Sequence, residues 1–194
     1  MEKIIFEDNN ILIYYKEAGE DSEKIFPDLH VVSRLDKPVA GLLLFTKSKK
    51  AAAFYSEGAN IDKEYYALVA GEVDEEGELT DLLLKDKRTN KVFVVDRERK
   101  GVKDAKLQYR RIDTVASEGG IFSLVKVKLY TGRTHQIRVQ FASRRHPLAG
   151  DGKYGSRYKG YIRLFCKSID VAVPGQKEKR HFEVPLPEDF LLLD

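Results

Sequence analysis

The run Leu42-Leu43-Leu44-Phe45 constrains this chain more than any other stretch. Four consecutive large apolar residues leave no position for water, so the segment reads as a strand of about 41–46 buried on both faces. Immediately before it stands VVSRLDKPVAG, residues 31–41, which places Arg34 and Asp36 at the mouth of that strand. A carboxylate there can close the turn before Pro38. It can also be a nucleophile or base held against a rigid sheet.

The remaining elements are short and strand-rich. Ile4-Ile5-Phe6 and Ile11-Leu12-Ile13-Tyr14-Tyr15 flank four polar residues and predict an opening hairpin. Residues 16–30 are polar and predict a loop. Ser48 is placed to cap a helix through Tyr55. Lys63–Val73 predicts a buried strand, followed by strands at Val92–Val95, Ala105–Ile112 and Ile121–Tyr130. In the last, Val125, Val127 and Leu129 alternate with Lys126 and Lys128, the period of a half-solvated strand. Thr134 is expected to cap a helix of about 134–144, and Ile162–Val173 to give one or two more strands. Many strands and few helices in 194 residues predict an α+β fold, one domain over 1–194, with a mostly antiparallel sheet.

One cysteine, Cys166, excludes an internal disulfide framework and a multi-cysteine zinc site. The four histidines never fall at metal-ligand spacing, and no Gly-rich phosphate loop or Gly-x-Ser-x-Gly elbow occurs. No signal-like apolar segment opens the chain, so a soluble cytoplasmic protein without membrane contact is expected. The net charge of +3 hides an asymmetry. Residues 1–30 hold eight acids against three lysines, whereas residues 130–167 hold nine Lys/Arg against Asp151 alone. The basic segment carries Tyr130, Phe141, Tyr154, Tyr158 and Tyr161 among its cations. Such interleaving suits a partner with phosphates and stackable bases, although a solvated face has the same composition. In TGRTHQIR, residues 131–138, a helix N-terminus beside Arg133 is a natural phosphate seat. Read alone, the residues reach a basic site with one carboxylate, one tyrosine and several arginines, and leave the reaction open.

RLDKPVAGLLLFTKS, KEYYALVAGEV, LYTGRTHQIRVQFA and HPLAGDGKYG, in that order and spacing, resemble the signature segments of RNA pseudouridine synthases of the RluA type. GVKDAKLQY and FEVPLPEDF add fainter echoes. The resemblance implies the pseudouridine synthase fold, a mixed and mostly antiparallel central sheet flanked by helices and loops. It implies isomerisation of uridines in tRNA or ribosomal RNA with no metal and no organic cofactor, by a monomer that has no DNA partner. Asp36 takes the place of the family's catalytic aspartate, a side chain ordinarily ionised at neutral pH. Arg138 takes that of the arginine pairing with it, and Tyr65 that of the tyrosine stacking on the target base. Arg34 matches the arginine that helps displace the nucleotide from its stack. Leu164 matches an apolar residue beneath the tyrosine, and Arg133, His135, Gln136, Arg144 and Arg145 become candidates for binding RNA.

The match has departures. Ser33 and Gln140 stand where the family usually has histidine, Lys16-Glu17-Ala18-Gly19 where Lys-Pro-x-Gly is expected, and Leu164-Phe165-Cys166 where Leu-His-Ala is usual. The separate N-terminal RNA-binding domain of many relatives is not expected. Two rival readings fit the same residues: an RNA-binding protein of this fold without turnover, and an unrelated RNA hydrolase using Asp36 and His135.

Overall fold

The computed structural model describes residues 2–57, 60–174 and 176–193. Its contacts gather into two compact units. The first holds the chain up to Tyr65 together with Phe165–Leu186, and the second holds Tyr66–Leu164 with the segment from Pro187 onward.

In the first unit, β1 (Ile4–Glu7) and β2 (Ile11–Lys16) form the expected opening hairpin. Asp8 accepts from the backbone N–H groups of Asn10 and Ile11, which fixes its turn. β2 runs antiparallel to β4 (Ala40–Thr46), in register from Ile11 opposite Thr46 to Lys16 opposite Gly41. A two-residue strand β3 (His30–Val31) also pairs β4. On the other edge of β4 lies β10 (Leu164–Ala172), parallel to it, with Cys166 opposite Gly41. β10 then pairs antiparallel with β11 (Lys179–Glu183). Leu42, Leu43, Leu44 and Phe45 are all 1% exposed or less, so the apolar run is a strand covered on both faces. Phe26 meets Tyr14 and Phe45 edge to face at 5.3 and 5.2 Å. Helix α1 (Lys49–Ser56) starts as expected, with the Ser48 hydroxyl accepting from Ala51 N–H.

The second unit is built on an antiparallel meander. β6 (Glu76–Asp86) lies between β7 (Lys91–Val95) and β8 (Val102–Ser117), and β8 pairs with β9 (Gly120–Leu129). β5 (Ile61–Ala70) enters this unit at Tyr66. Ala105, Leu107 and Tyr109 turn one face of β8 inward, where Tyr109 meets Phe141 of α2 (Gln136–Ser143) at 5.2 Å. Val125 and Val127 are buried while Lys128 is exposed, as the alternation of β9 predicts.

One local expectation changes, and two strands appear that the sequence pattern did not show. Thr134 does not cap α2, which begins at Gln136 with His135 at its N-cap in the left-handed region, φ 52°. No side chain caps that position. β6 was not legible because acidic and polar residues break the apolar signal of its first half. Ile162–Val173 gives one strand, and the hairpin is completed by the polar β11.

Gly41 shows how tightly β4 and β10 pack. Its φ is +122°, and an added Cβ would lie 2.4–2.8 Å from the Cys166 backbone. Only glycine fits both conditions. Gly41→Ala is expected to destabilise the protein by about 3 kcal/mol or more. Urea unfolding checks this, and a loss below about 1 kcal/mol would show that β10 can move away.

Candidate active site

Asp36 sits half-buried on the turn that leads into β4. The turn closes with Val39 N–H donating to Asp36 O at 2.9 Å, and Gly19 N–H donating to Lys37 O at 2.8 Å. Ser22 holds the preceding residue from both sides, its hydroxyl donating to Leu35 O and accepting from Leu35 N–H. Beneath the turn lies Lys16, the last residue of β2, with 0% of its surface exposed. Its ammonium donates among four carbonyls: Val39 at 2.7 Å, Lys37 and Glu17 at 3.1 Å, and Asp36 at 3.4 Å. Burial lowers its pKa to about 8, against the attraction of Glu20, Asp36 and Asp21. The carbonyls need donors, and the ammonium has no other solvent. Each therefore fixes the other, and the backbone carrying Asp36 is held in one shape.

Tyr65 is 5% exposed and lies in the same unit. Burial, then Cys166, then Asp36 raise its pKa well above the usual 10. At neutral pH it is a phenol that can stack or pass on a proton, not a standing phenolate base. The Cys166 thiol is the largest influence on this phenol after burial, and burial pushes the thiol's own pKa up to about 11. The half-buried Lys63 ammonium lies 5.8 Å from the Tyr65 ring centroid. Cys166, which the sequence reading did not assign to the site, is thus a residue acting on the Tyr65 hydroxyl. Leu164, assigned to the place beneath the ring, precedes it by two and is buried at 6% exposure. Arg34 pairs with Glu23 at 2.9 Å, both side chains about 60% exposed. Such a pair costs little to break, which leaves Arg34 able to move. The hydroxyl of Ser33 is buried and has no hydrogen-bond partner among the described residues.

In the second unit, α2 carries Arg138 into the interior, 4% exposed. Asp151, 0% exposed, takes it in a two-pronged grip: Nε to Oδ2 at 2.7 Å and Nη2 to Oδ1 at 2.8 Å. The Tyr154 ring lies 5.2 Å from the guanidinium carbon. The Tyr154 hydroxyl accepts from Val92 N–H at 2.9 Å and meets His135 Nδ1 at 2.8 Å. Sequence reasoning noted Asp151 only as the lone acid of the basic segment. The signal for its role was the carboxylate between Gly150 and Gly152 in HPLAGDGKYG.

The expected RNA-binding residues divide. Gln136 is 3% exposed, and its Oε1 accepts from Arg133 N–H and the Thr131 hydroxyl while Nε2 donates to Lys106 O. It shapes the turn into α2. His135 is 9% exposed and bonded as above. Arg144 grips Asp81 at 2.8 and 3.2 Å, beside Gln140, which donates to the same carboxylate. Arg133 is exposed, with its Nε on Asp104 O, and Arg145 is exposed. No group of three His, Cys, Asp or Glu side chains among the described residues converges as a metal-ligand set. None of their helices is long and apolar enough to cross a membrane.

The fold is that of the pseudouridine synthases: a human RNA pseudouridylate synthase domain-containing protein 1 structure superposes with a TM-score of 0.78 over 95% of this chain and 83% of that one, at 21% identity. Residues 10–143 match the RNA pseudouridylate synthase family model. An uncharacterized RNA pseudouridine synthase of Helicobacter pylori strain J99 is 31% identical over 195 residues, 96% of this chain and 76% of that one. The ribosomal large subunit pseudouridine synthase C of Vibrio cholerae is 28% identical over 94% of this chain and 65% of its own length. The mitochondrial tRNA pseudouridine(32) synthase of Saccharomyces cerevisiae is 32% identical over 79% of this chain, which spans 37% of that protein. The chain belongs to the RNA pseudouridine synthases of the RluA type, which are intramolecular isomerases.

Two substitutions test the supports. Lys16→Met removes the donor from four buried carbonyls and should cost roughly 3 kcal/mol in urea unfolding. An unfolded lysine keeps its proton to about pH 10.5, whereas the caged one releases it near 8. Between these values the unfolded state binds the extra proton, so this group's contribution to stability rises with pH. The gap between wild type and Lys16→Met should therefore widen from pH 8 to 10, and a constant gap would mean that Lys16 does not titrate there. Asp151→Asn takes the carboxylate charge out of the buried two-pronged grip on Arg138 and should cost roughly 3–5 kcal/mol. A near-neutral result in the same assay would place Arg138 in water.

Proposed function

We propose that the chain converts specific uridines of tRNA or ribosomal RNA to pseudouridine with Asp36 as the catalytic nucleophile. The observation that carries this reading is the rigid mounting of Asp36: a carboxylate on a turn fixed by the caged Lys16, in the unit that also holds the buried phenol of Tyr65. A group that must meet one ring or sugar atom gains from a backbone that cannot wander. In the net reaction the bond from the ribose C1′ to N1 breaks and one from C1′ to C5 forms. The proton of C5 leaves and N1 gains one, so nothing else is consumed. Tyr65, held neutral by burial, provides a ring for the base and a hydroxyl through which the C5 proton can be passed on. Arg138 is assigned as the counter-charge of Asp36 on the resemblance of GRTHQIR to the family motif. The grip of Asp151 supports that assignment by fixing one edge of the guanidinium. Arg34, whose one ion pair among the described residues is to an exposed glutamate, is suited to fill the gap left by an extruded base. Arg133 and Arg145 are placed on phosphates.

Asp36→Asn preserves shape and removes the nucleophile. Tritium release from RNA labelled at uridine C5 should fall to under about 1% of wild type, with RNA affinity within about twofold. Residual release above a few per cent puts the nucleophile elsewhere. A wild-type protein that binds RNA and releases no tritium from any cellular RNA fraction favours the non-catalytic RNA-binding reading.

A further inference from the structure

Several cations of this chain already have an acid. Lys3 lies on Glu17 and Glu20, Lys47 on Glu7, Lys106 on Glu78, Arg111 on Glu72 and Lys179 on Asp62, all within 3.2 Å. Part of the basic segment 130–167 is spent in the same way, Arg138 on Asp151, Arg144 on Asp81 and Lys167 on Glu183, whereas Arg133, Arg145, Lys153, Arg157 and Lys159 are exposed with no ion pair among the described residues. Arg163 is 4% exposed and donates to Leu192 O. Residues 85–103 contain eight Lys/Arg against three acids, a balance of +5. Of those acids, Asp86 is turned onto its own hairpin, accepting from Arg88 N–H and the Thr89 hydroxyl.

The topology gathers these cations. β7 and β8 both pair with β6, on opposite sides, with Phe93 and Val102 each opposite Leu84. Two flanking strands lie about 10 Å apart, so the connection through residues 96–101 has to cross β6. It does so beside Leu82, forming a hollow with Glu98 and Arg99. That return brings the loop with Arg97, Arg99 and Lys100 into β8 at Val102, opposite Leu84, which directly precedes the hairpin end with Lys85, Lys87 and Arg88. All six are exposed, and none has a carboxylate within ion-pair distance among the described residues. The hairpin end is anchored from below by Lys153, which donates to Asn90 O at 2.6 Å. Beside it Phe93 is 45% exposed on β7, with the Lys91 ammonium 5.7 Å from its ring centroid.

We infer that the β6–β7 hairpin end and the loop 96–101 form a docking surface for the phosphate backbone of the substrate RNA. Six mutually repelling, unanswered cations are stabilised when phosphates replace their counterions, and the exposed Phe93 offers a face for an unpaired base. The inference rests on the RNA reading above and adds where the RNA is held, outside the segment that composition alone singled out.

The test compares two fourfold variants binding a fluorescein-labelled RNA hairpin with a uridine-containing loop. Lys87→Gln, Arg88→Gln, Arg97→Gln and Lys100→Gln are combined in one. Exposed Lys24→Gln, Lys49→Gln, Lys50→Gln and Lys177→Gln, which remove the same charge elsewhere, form the control. The first should bind on the order of 100-fold more weakly near 0.1 M salt, and its slope of log affinity against log salt should flatten by about 3. The half-saturating RNA concentration for tritium release should rise by the same factor. The control should keep the wild-type slope. Equal losses in both variants, or no loss in the first, overturn the docking surface. So does charge-dependent binding to phosphatidylserine vesicles with none to RNA. A wild type that binds with the predicted slope but makes no pseudouridine sinks the catalytic reading and leaves the surface standing.

Discussion

The ammonium of Lys16 inside its ring of carbonyls is the interaction from which the first unit takes its functional shape. A turn that exposes a carboxylate cannot bury its own backbone without satisfying the carbonyls that point inward. Helix and sheet satisfy such groups by repetition, and a single irregular turn has no such ladder. One charged donor with three hydrogens, delivered from the end of β2, answers the carbonyls of Asp36, Lys37 and Val39 together. The cost is a desolvated cation, visible in its lowered pKa. The return is a nucleophile candidate whose main chain is as firmly placed as a strand residue.

The second unit solves the complementary problem with a buried ion pair. An arginine 4% exposed is tolerable only if its charge is met by geometry as good as the two-pronged grip of Asp151. Replacing the pair by apolar residues could be neutral for stability, so its presence is better explained by what a fixed guanidinium can do than by what it adds to folding. The Tyr154 hydroxyl extends this order outward to His135 and to the backbone of β7. The left-handed conformation of His135 belongs to the same arrangement, since the turn into α2 is closed by the Gln136 carboxamide and not by a hydroxyl cap.

Charge shows most clearly how composition misleads. The segment 130–167 carries a large positive balance along the chain, but a count of residues ignores acids that arrive from elsewhere in sequence. Asp81, some sixty residues earlier, answers Arg144, and Glu183 answers Lys167. The hairpin around residues 85–103 has a smaller excess, yet Lys85, Lys87, Arg88, Arg97, Arg99 and Lys100 are exposed with no acid in ion-pair distance among the described residues.

By itself, the sequence determined what depends on local pattern. Leu42–Phe45 had to be a doubly buried strand, Ile4–Phe6 and Ile11–Tyr15 a hairpin, and Ser48 a helix cap, because burial and capping at these places need only neighbours in the chain. Its ordered motifs also carried the family and pointed to Asp36, Tyr65 and Arg138. Only the tertiary structure decided how those residues are held. Lys16 meets Val39 across 23 positions, Arg138 meets Asp151 across 13, and Tyr65 meets Cys166 across about a hundred. None of these distances in sequence has a period or a spacing rule. They follow from which strands pair and which side chains those pairings turn inward, and that is settled by burying the whole core at once.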